Sequence, residues 1–251
     1  MRGISLVNQT FYTLNGSPNY ITFEEYDSEV MYIDSDIEIV MNHMIHKANT
    51  YGVKYLNICL NQNAPHYTSF SRLLIKNNFK KQSTTLQVKR ALTNIKEPPT
   101  VPFSLKGLNT ISEKEFKHIW KFSMEGSLNT PSQLSIDEQL DAVKTELGLH
   151  WEDSCIAVYK DNQPTGVVMP HIEPGTTNEG RLFYFGLVPE MRGKGLSQPL
   201  HYYALYLLKG MGATYYIGST NIVNTPMIHT FQKNKCAVHR KTDRYCLEMY
   251  E

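Results

Sequence analysis

The chain has 251 residues, of which 41% are hydrophobic and 20% charged, and its 25 basic and 24 acidic side chains leave a formal net charge of +1. That length allows one large or two modest domains, each able to bury a core. The balanced charge excludes a global electrostatic pull toward nucleic acid, and no apolar run is long enough to span a bilayer.

The opening MRGISLVNQTFYTLNG has neither a sustained apolar core nor a small-residue cleavage site. The chain is therefore expected to be cytoplasmic, without a nucleic-acid or membrane partner, its oligomeric state left open. Cys59, Cys155, Cys236 and Cys246 are scattered without CxxC spacing, which predicts free thiols in a reducing compartment. No His/Cys or carboxylate spacing calls for a metal.

Met41, Met44, Ile45 and Ala48 mark a first helix ending near Gly52, followed by a strand over Lys54 to Leu60, a helix over His66 to Lys76 and a strand over Thr84 to Lys89. IKEPPTVP, Ile95 to Pro102, then reads as a stiff connector. The expected division is a first domain over 1–94, a linker over 95–102 and a second domain over 103–251.

Beyond the prolines, a strand is expected near Phe103 to Leu108. A helix then starts at Ser112, and a second starts at Ser135, where Ser135-Ile136-Asp137-Glu138 is a capping-box pattern. Cys155 to Tyr159 and Thr165 to Met169 form a hairpin across Lys160 to Gln163. The run Leu182 to Val188, rich in aromatic and branched residues, reads as a strand covered on both faces. Leu200, Tyr203, Ala204, Leu207, Leu208 and Met211 make an amphipathic stripe, with Pro199 in the first turn. The expected order β-α-α-β-β-β-α-β-α-β-β suits an α/β mixed sheet with helices on both faces.

Between that strand and that helix lies GLVPEMRGKGLS, Gly186 to Ser197. Unpaired N–H groups and the positive end of a helix dipole favour an anion there. Gly193 and Gly195 can take φ > 0. The spacing fits neither a nucleoside-triphosphate P-loop nor a dinucleotide fingerprint.

Arg192-Gly193-Lys194-Gly195-Leu196-Ser197 resembles the acetyl-CoA pyrophosphate loop of the GCN5-related N-acetyltransferases, Arg/Gln-x-x-Gly-x-Gly/Ala, with Ser197 at the final small position. A second signature of that family, a strand, an Asn and a short helix beside the pantetheine arm, is matched by Tyr215 to Thr220, Asn224 and Pro226 to Lys233. Seven residues after the Asn, where many members have a tyrosine thought to protonate the departing thiol, stands Phe231, and Lys235-Cys236 replaces a later Gly-Phe. The resemblance covers about residues 101–251.

The resemblance implies acetyl-CoA as co-substrate and an amine of a small molecule or peptide as acceptor. It places the coenzyme beside Leu187, Val188, Arg192, Gly193, Lys194, Gly195, Leu196, Ser197, Asn224 and Phe231, with amides near Leu187 and Val188 aimed at the thioester carbonyl. Candidate bases are Glu125, His171, Glu173 and Glu179, and Tyr202, Tyr215 or water would stand in for the acid lost at Phe231. His201 reads as a partly exposed structural histidine. The alternatives are a CoA-binding or regulatory protein without turnover, and an interaction or nucleic-acid-associated module.

The first domain repeats part of this order. Gly52 and Gly212, like Tyr55 and Tyr215, lie 160 residues apart, and at the offset that carries Arg192 to Leu196 back to Tyr32 to Asp36 the sequence reads YIDSD. Carboxylates there repel a diphosphate by about 1 kcal/mol per close pair. The first domain thus resembles a degenerate copy that does not bind coenzyme, with chance similarity as the alternative.

Overall fold

The computed structural model describes residues 7–26, 30–98, 102–129 and 134–249. The chain divides into two units, Met1–Gln87 with His239–Glu251, and Val88–Val238.

The first unit opens with a hairpin of β1 (Phe11–Gly16) and β2 (Tyr20–Glu25), then helix α1 (Asp34–Thr50), strand β3 (Tyr55–Asn61), helix α2 (Tyr67–Lys76) and the start of strand β4 (Lys80–Ala91). The hairpin has no counterpart in the sequence reading, because β1 fully buries only Phe11 and so carries little apolar alternation. The final strand β10 (Ala237–Glu248) returns to pair antiparallel with β3. Sheet order here is β1-β2-β3-β10-β4. Ile37, Val40, Met41, Met44 and Ala48 form the buried stripe of α1, which packs with Ile21, Phe23, Leu56, Ile58, Phe70 and Tyr245 in one core.

The second unit contains β5 (Ser104–Gly107), α3 (Glu113–Met124), α4 (Ile136–Leu147), β6 (Ile156–Lys160), β7 (Gln163–Ile172), β8 (Glu179–Leu187), α5 (Ser197–Gly210), β9 (Tyr215–Asn221) and α6 (Thr225–Lys233). Its strands lie in the order β9-β8-β7-β6-β5. β7 is buried on both faces. Val167 and Met169 meet Phe116, Ile119 and Trp120 of α3 and Leu140 and Val143 of α4. Val168 faces Leu200 and Ala204 of α5, as period-2 side-chain alternation requires.

The local signals act as expected at the starts of α3 and α4. Ser112 accepts the amide of Glu115, and Ser135 with Glu138 forms the full capping box. The β6–β7 turn is tighter than expected: Asp161 and Asn162 both take positive φ, the form that matches strand twist in two-residue hairpins.

Three expectations about organisation meet a different arrangement. The units part at Gln87 and Val88 rather than at the prolines. Residues 92–96 belong to the second unit and are held along α5, where Leu92 donates to Thr214 O, Tyr202 Oη to Lys96 O, and Lys209 Nζ to Ile95 O at 2.7 Å. Finally, the two strands expected at the end are one strand, β10, which lies between β3 and β4 in the sheet of the first unit. Strand partners are set by which edge is open, and local sequence carries no mark of that.

Candidate functional site

The site is built on a failure of pairing. β8 and β9 run parallel yet pair only at Glu179↔Tyr215 and Gly180↔Tyr216, after which they separate. On its other edge β8 keeps its ladder with β7 but slips: Val168 faces Phe185 while Pro170 faces Leu182. β8 therefore carries one extra residue near Phe183 and Tyr184, a bulge that bends and twists the strand.

The opening between β8 and β9 is a cavity of about 290 Å³. Residues 182–187 of β8 form one wall, and Tyr216, Ser219 and Thr220 of β9 with Asn224, Met227 and Phe231 of α6 form the other. The segment after α3 closes one side: Asn129 Oδ1 accepts from Thr220 Oγ1 at 3.0 Å and from the amide of Asn221. Among the described lining residues, Arg192 alone carries a charge.

Ladder geometry decides which amides face the opening. Val188 N–H donates to Thr165 O, so it is already used, which corrects the expectation that it points at a substrate. That same bond makes Gly166↔Leu187 a non-hydrogen-bonded pair, which turns the Leu187 amide away from β7 toward the separated side. Phe185, two residues earlier, points the same way.

The loop that follows has the expected backbone. Gly193 and Gly195 have φ of 71° and 74°, and a Cβ on either would meet nothing within 4 Å, so conformation rather than crowding requires glycine. Among the described residues the amides of Gly193, Lys194, Gly195 and Leu196 have no acceptor, and Leu196 opens α5 without a side-chain cap. These are free donors at a helix N-terminus.

Arg192 has a different task from the one its charge suggests. Its Nε donates to Leu187 O at 3.0 Å and its Nη2 to Ser123 O at 2.9 Å. Tyr184 Oη donates to the same Ser123 carbonyl at 2.8 Å. The guanidinium thus ties the end of β8 to the end of α3. Ser197 and Asn224 also line the cavity. Asn224 caps α6, its Oδ1 accepting the amide of Met227 while its Nδ2 donates to Thr220 Oγ1.

The acid–base candidates lie outside the lining. Glu125 is an exposed residue ending α3, beside the lining residue Gly126. Glu173, Glu179, His171 and Tyr215 gather at the closed end of β8. There Arg181 Nε lies 2.6 Å from Glu179 and 3.2 Å from Glu173, His171 Nε2 lies 3.4 Å from Glu173, and Tyr215 Oη donates to Glu179. That bond raises the Tyr215 pKa. Glu146, His171 and Glu173 bring a ligand-type atom each within 4.8 Å of one another, and Arg181 supplies the counter-charge. Tyr202 is held by Lys96.

The residues that sequence reasoning missed sit behind Phe231. His201 is fully buried rather than partly exposed. Burial lowers its pKa to about 3, keeping the ring neutral. It packs edge-on against Phe185, Tyr216 and Phe231. The signal for it was present in the α5 stripe, where position 201 lies next to Leu200 and three residues before Ala204.

All four cysteines are free. Burial pushes the Cys155 thiol up to about 12 and that of Cys236 to about 11, so neither is a poised nucleophile. Among the described residues no helix is long and apolar enough to cross a membrane.

Comparison with known proteins agrees with this geometry. Residues 115–235 match the family model described as Acetyltransferase (GNAT) family. A GCN5-related N-acetyltransferase from Sphaerobacter thermophilus is 12% identical, with a TM-score of 0.66 over 95% of this chain and 76% of that one. A tandem GNAT protein from the clavulanic acid biosynthesis pathway, also 12% identical, gives a TM-score of 0.57 over 95% and 79%. A conserved protein of unknown function from Staphylococcus epidermidis, 9% identical, gives 0.61 over 92% and 85%. No curated protein matches the chain. The mixed α/β fold, the bulged and splayed strand pair and the family match together make the second unit a member of the GCN5-related N-acetyltransferase family.

Proposed function

We propose that the protein is an acetyl-CoA-dependent N-acyltransferase acting on an amine of a small molecule or peptide. The observation that carries this reading is the separation of β8 from β9 after two residue pairs, leading directly to the free amides of Gly193 to Leu196. A diphosphate suits those donors, and a pantetheine arm suits a slot between two strands whose inner edges are unpaired.

In this reading the Leu187 amide donates to the thioester oxygen as it becomes an oxyanion, a fixed dipole of the kind that lowers a barrier by about 3 kcal/mol. The amine attacks the carbonyl carbon, the C–N bond forms and the C–S bond breaks. No carboxylate or histidine is among the described lining residues, so the amine proton leaves through water.

The first unit is a degenerate copy of the same fold in this reading, and it contributes no coenzyme site. The test is thiol release from acetyl-CoA across polyamines, aminoglycosides, amino acids and peptides. Saturable release with one acceptor class supports the reading. Phe231, standing where many family members carry a tyrosine, favours one second reading, a coenzyme-binding protein without turnover. Tight binding of acetyl-CoA with no release toward any acceptor would select it.

A further inference from the structure

Phe231 removes a hydroxyl from α6, but another hydroxyl stands next to it. Tyr216 on β9 is 2% exposed, lines the cavity and packs against Phe231 with ring centroids 6.5 Å apart. Its ring lies along its own strand, and a Cβ on Gly218 would come within 2.3 Å of its Oη. Gly218 therefore makes room for that hydroxyl.

The direction of the Tyr216 proton follows from a chain of hydrogen bonds. Asn234 Nδ2 donates to the backbone carbonyl of Gln198 at 3.0 Å, while Asn234 Oδ1 accepts from Gln198 Nε2 at 2.9 Å. A carbonyl can only accept, so the amide orientation is fixed. The remaining N–H of Asn234 then faces His201 Nδ1 at 2.9 Å. Nδ1 must accept, which puts the imidazole proton on Nε2. His201 Nε2 in turn lies 3.3 Å from Tyr216 Oη, so the tyrosine accepts there. Its own proton has no acceptor among the described residues, although buried tyrosine hydroxyls normally find one.

We infer that Tyr216 donates its hydroxyl hydrogen bond to the coenzyme sulfur, with His201 and Asn234 as positioning residues that keep the donor turned toward the cleft. The inference rests on the acyltransfer reading and deepens it. When the C–S bond breaks, its electron pair stays on sulfur, and Tyr216 holds the resulting thiolate. The amine proton goes to water, and the thiol regains a proton from water. Burial raises the Tyr216 pKa well above its ordinary value, whereas a free thiol titrates near 8.5. Tyr216 therefore keeps its proton throughout. The titratable groups around it are His201 on α5, Cys236 beyond α6, and Arg90 on β4, whose guanidinium donates to Asn234 O.

The test needs no acceptor. Free coenzyme A is bound to the full chain, its affinity is measured by calorimetry, and the pKa of the bound thiol is read from ultraviolet thiolate absorbance. A donor to the charged form lowers that pKa, so Tyr216→Phe is expected to raise it by about one unit, a tenfold loss of thiolate at a given pH. Affinity below the thiol pKa should change less than about threefold. Asn234→Asp is a second variant. It offers Nδ1 an acceptor, moves the imidazole proton to Nδ1, turns Nε2 toward the Tyr216 proton and should reproduce the Tyr216→Phe shift with the tyrosine still present. Saturable binding with the same thiol pKa in wild type and folded Tyr216→Phe would overturn the inference alone. Absence of coenzyme binding by the wild type would overturn the reading beneath it as well.

Discussion

The two units contain the same parallel strand pair in two states. In the first, β2 and β3 stay paired from Tyr20↔Tyr55 to Glu24↔Cys59. In the second, β8 and β9 part after Gly180↔Tyr216. The elements otherwise correspond: β3 and β9 start and end 160 residues apart, and α1 and α5 end 160 residues apart. The differences lie where chemistry would be done. β2 keeps an unbroken register with β1, whereas β8 bulges against β7. The helix after β2 carries Asp34 and Asp36 in its first turn, whereas the helix after β8 follows Gly193 and Gly195. The second unit thus combines an opened ladder with free amides at the following helix, whereas the β2–β3 ladder of the first unit is closed.

If the first unit is a scaffold, its polar centre should matter to stability above all. Asp243 is fully buried and accepts from Lys81 Nζ at 2.7 Å, Thr84 Oγ1 at 2.6 Å, Gln62 Nε2 at 3.0 Å and Tyr67 Oη. Burial alone pushes this carboxyl up, but those donors outweigh it and hold its pKa below the usual value. Asp243→Ala removes the shared acceptor of four donors, of which Lys81 is half exposed and can turn to water, and is expected to cost about 3 kcal/mol in a urea unfolding series. The pH dependence has a definite sign. A depressed folded pKa stabilises above the unfolded carboxylate pKa near ~4 and loses that contribution as pH falls through the folded value. The wild type should therefore lose stability below about pH 4 more steeply than Asp243→Ala.

Arg192 probes the corresponding lock in the second unit. Its two carbonyl bonds hold the end of β8 beside the cavity, and bonds from a charged donor are worth about 1.5–3 kcal/mol. Arg192→Ala should lose stability in that range, with weaker coenzyme binding as the Leu187 edge relaxes. Arg192→Lys should not restore it, because one ammonium cannot reproduce the fork that reaches both Leu187 O and Ser123 O. Recovery by lysine in a thermal melt would mean that charge, not geometry, is what the position supplies.

The anion-accepting turn gives a direct exchange between the units. Gly195→Asp brings to the second unit what Asp34 and Asp36 bring to the first, and it should weaken coenzyme affinity more than tenfold, about 1.4 kcal/mol. Calorimetry should give one coenzyme per chain for the wild type. Replacing Asp34 and Asp36 by asparagine should leave that stoichiometry at one, since β2 and β3 remain paired. Two sites per chain in either protein would break the comparison.

These tests also mark what the sequence makes legible. The glycine turn, the Ser135 capping box and the strand over Tyr215 are local, set by residues within one turn or one strand, and all are readable from the chain. The separation of β8 from β9 is not local: it depends on a one-residue slip against β7, and a run such as Leu182 to Leu187 looks the same with or without it. The pairing of β10 with β3 depends on an open edge elsewhere. The Asn234, His201 and Tyr216 relay joins α5, β9 and the residue after α6, so no spacing in the sequence announces it. Glu173 and Glu179, chosen by charge, fall outside the cavity lining because β8 is long enough to hold its charged end and its open end apart, while Glu125 falls outside it as an exposed residue following α3.

The smallest expected effect separates capping from ligand contact at Asn224. An asparagine at a helix start stabilises through its side-chain oxygen, and losing it costs about 1 kcal/mol. The Nδ2 bond to Thr220 adds a tie between α6 and the cavity wall of β9. Asn224→Ser keeps an acceptor for the Met227 amide and removes the amide nitrogen, whereas Asn224→Ala removes both. If the residue serves the coenzyme only by seating α6, serine should recover most of the stability and the affinity lost by alanine. If its amide itself touches the pantetheine arm, serine should recover stability in the melt while affinity stays as low as in the alanine variant.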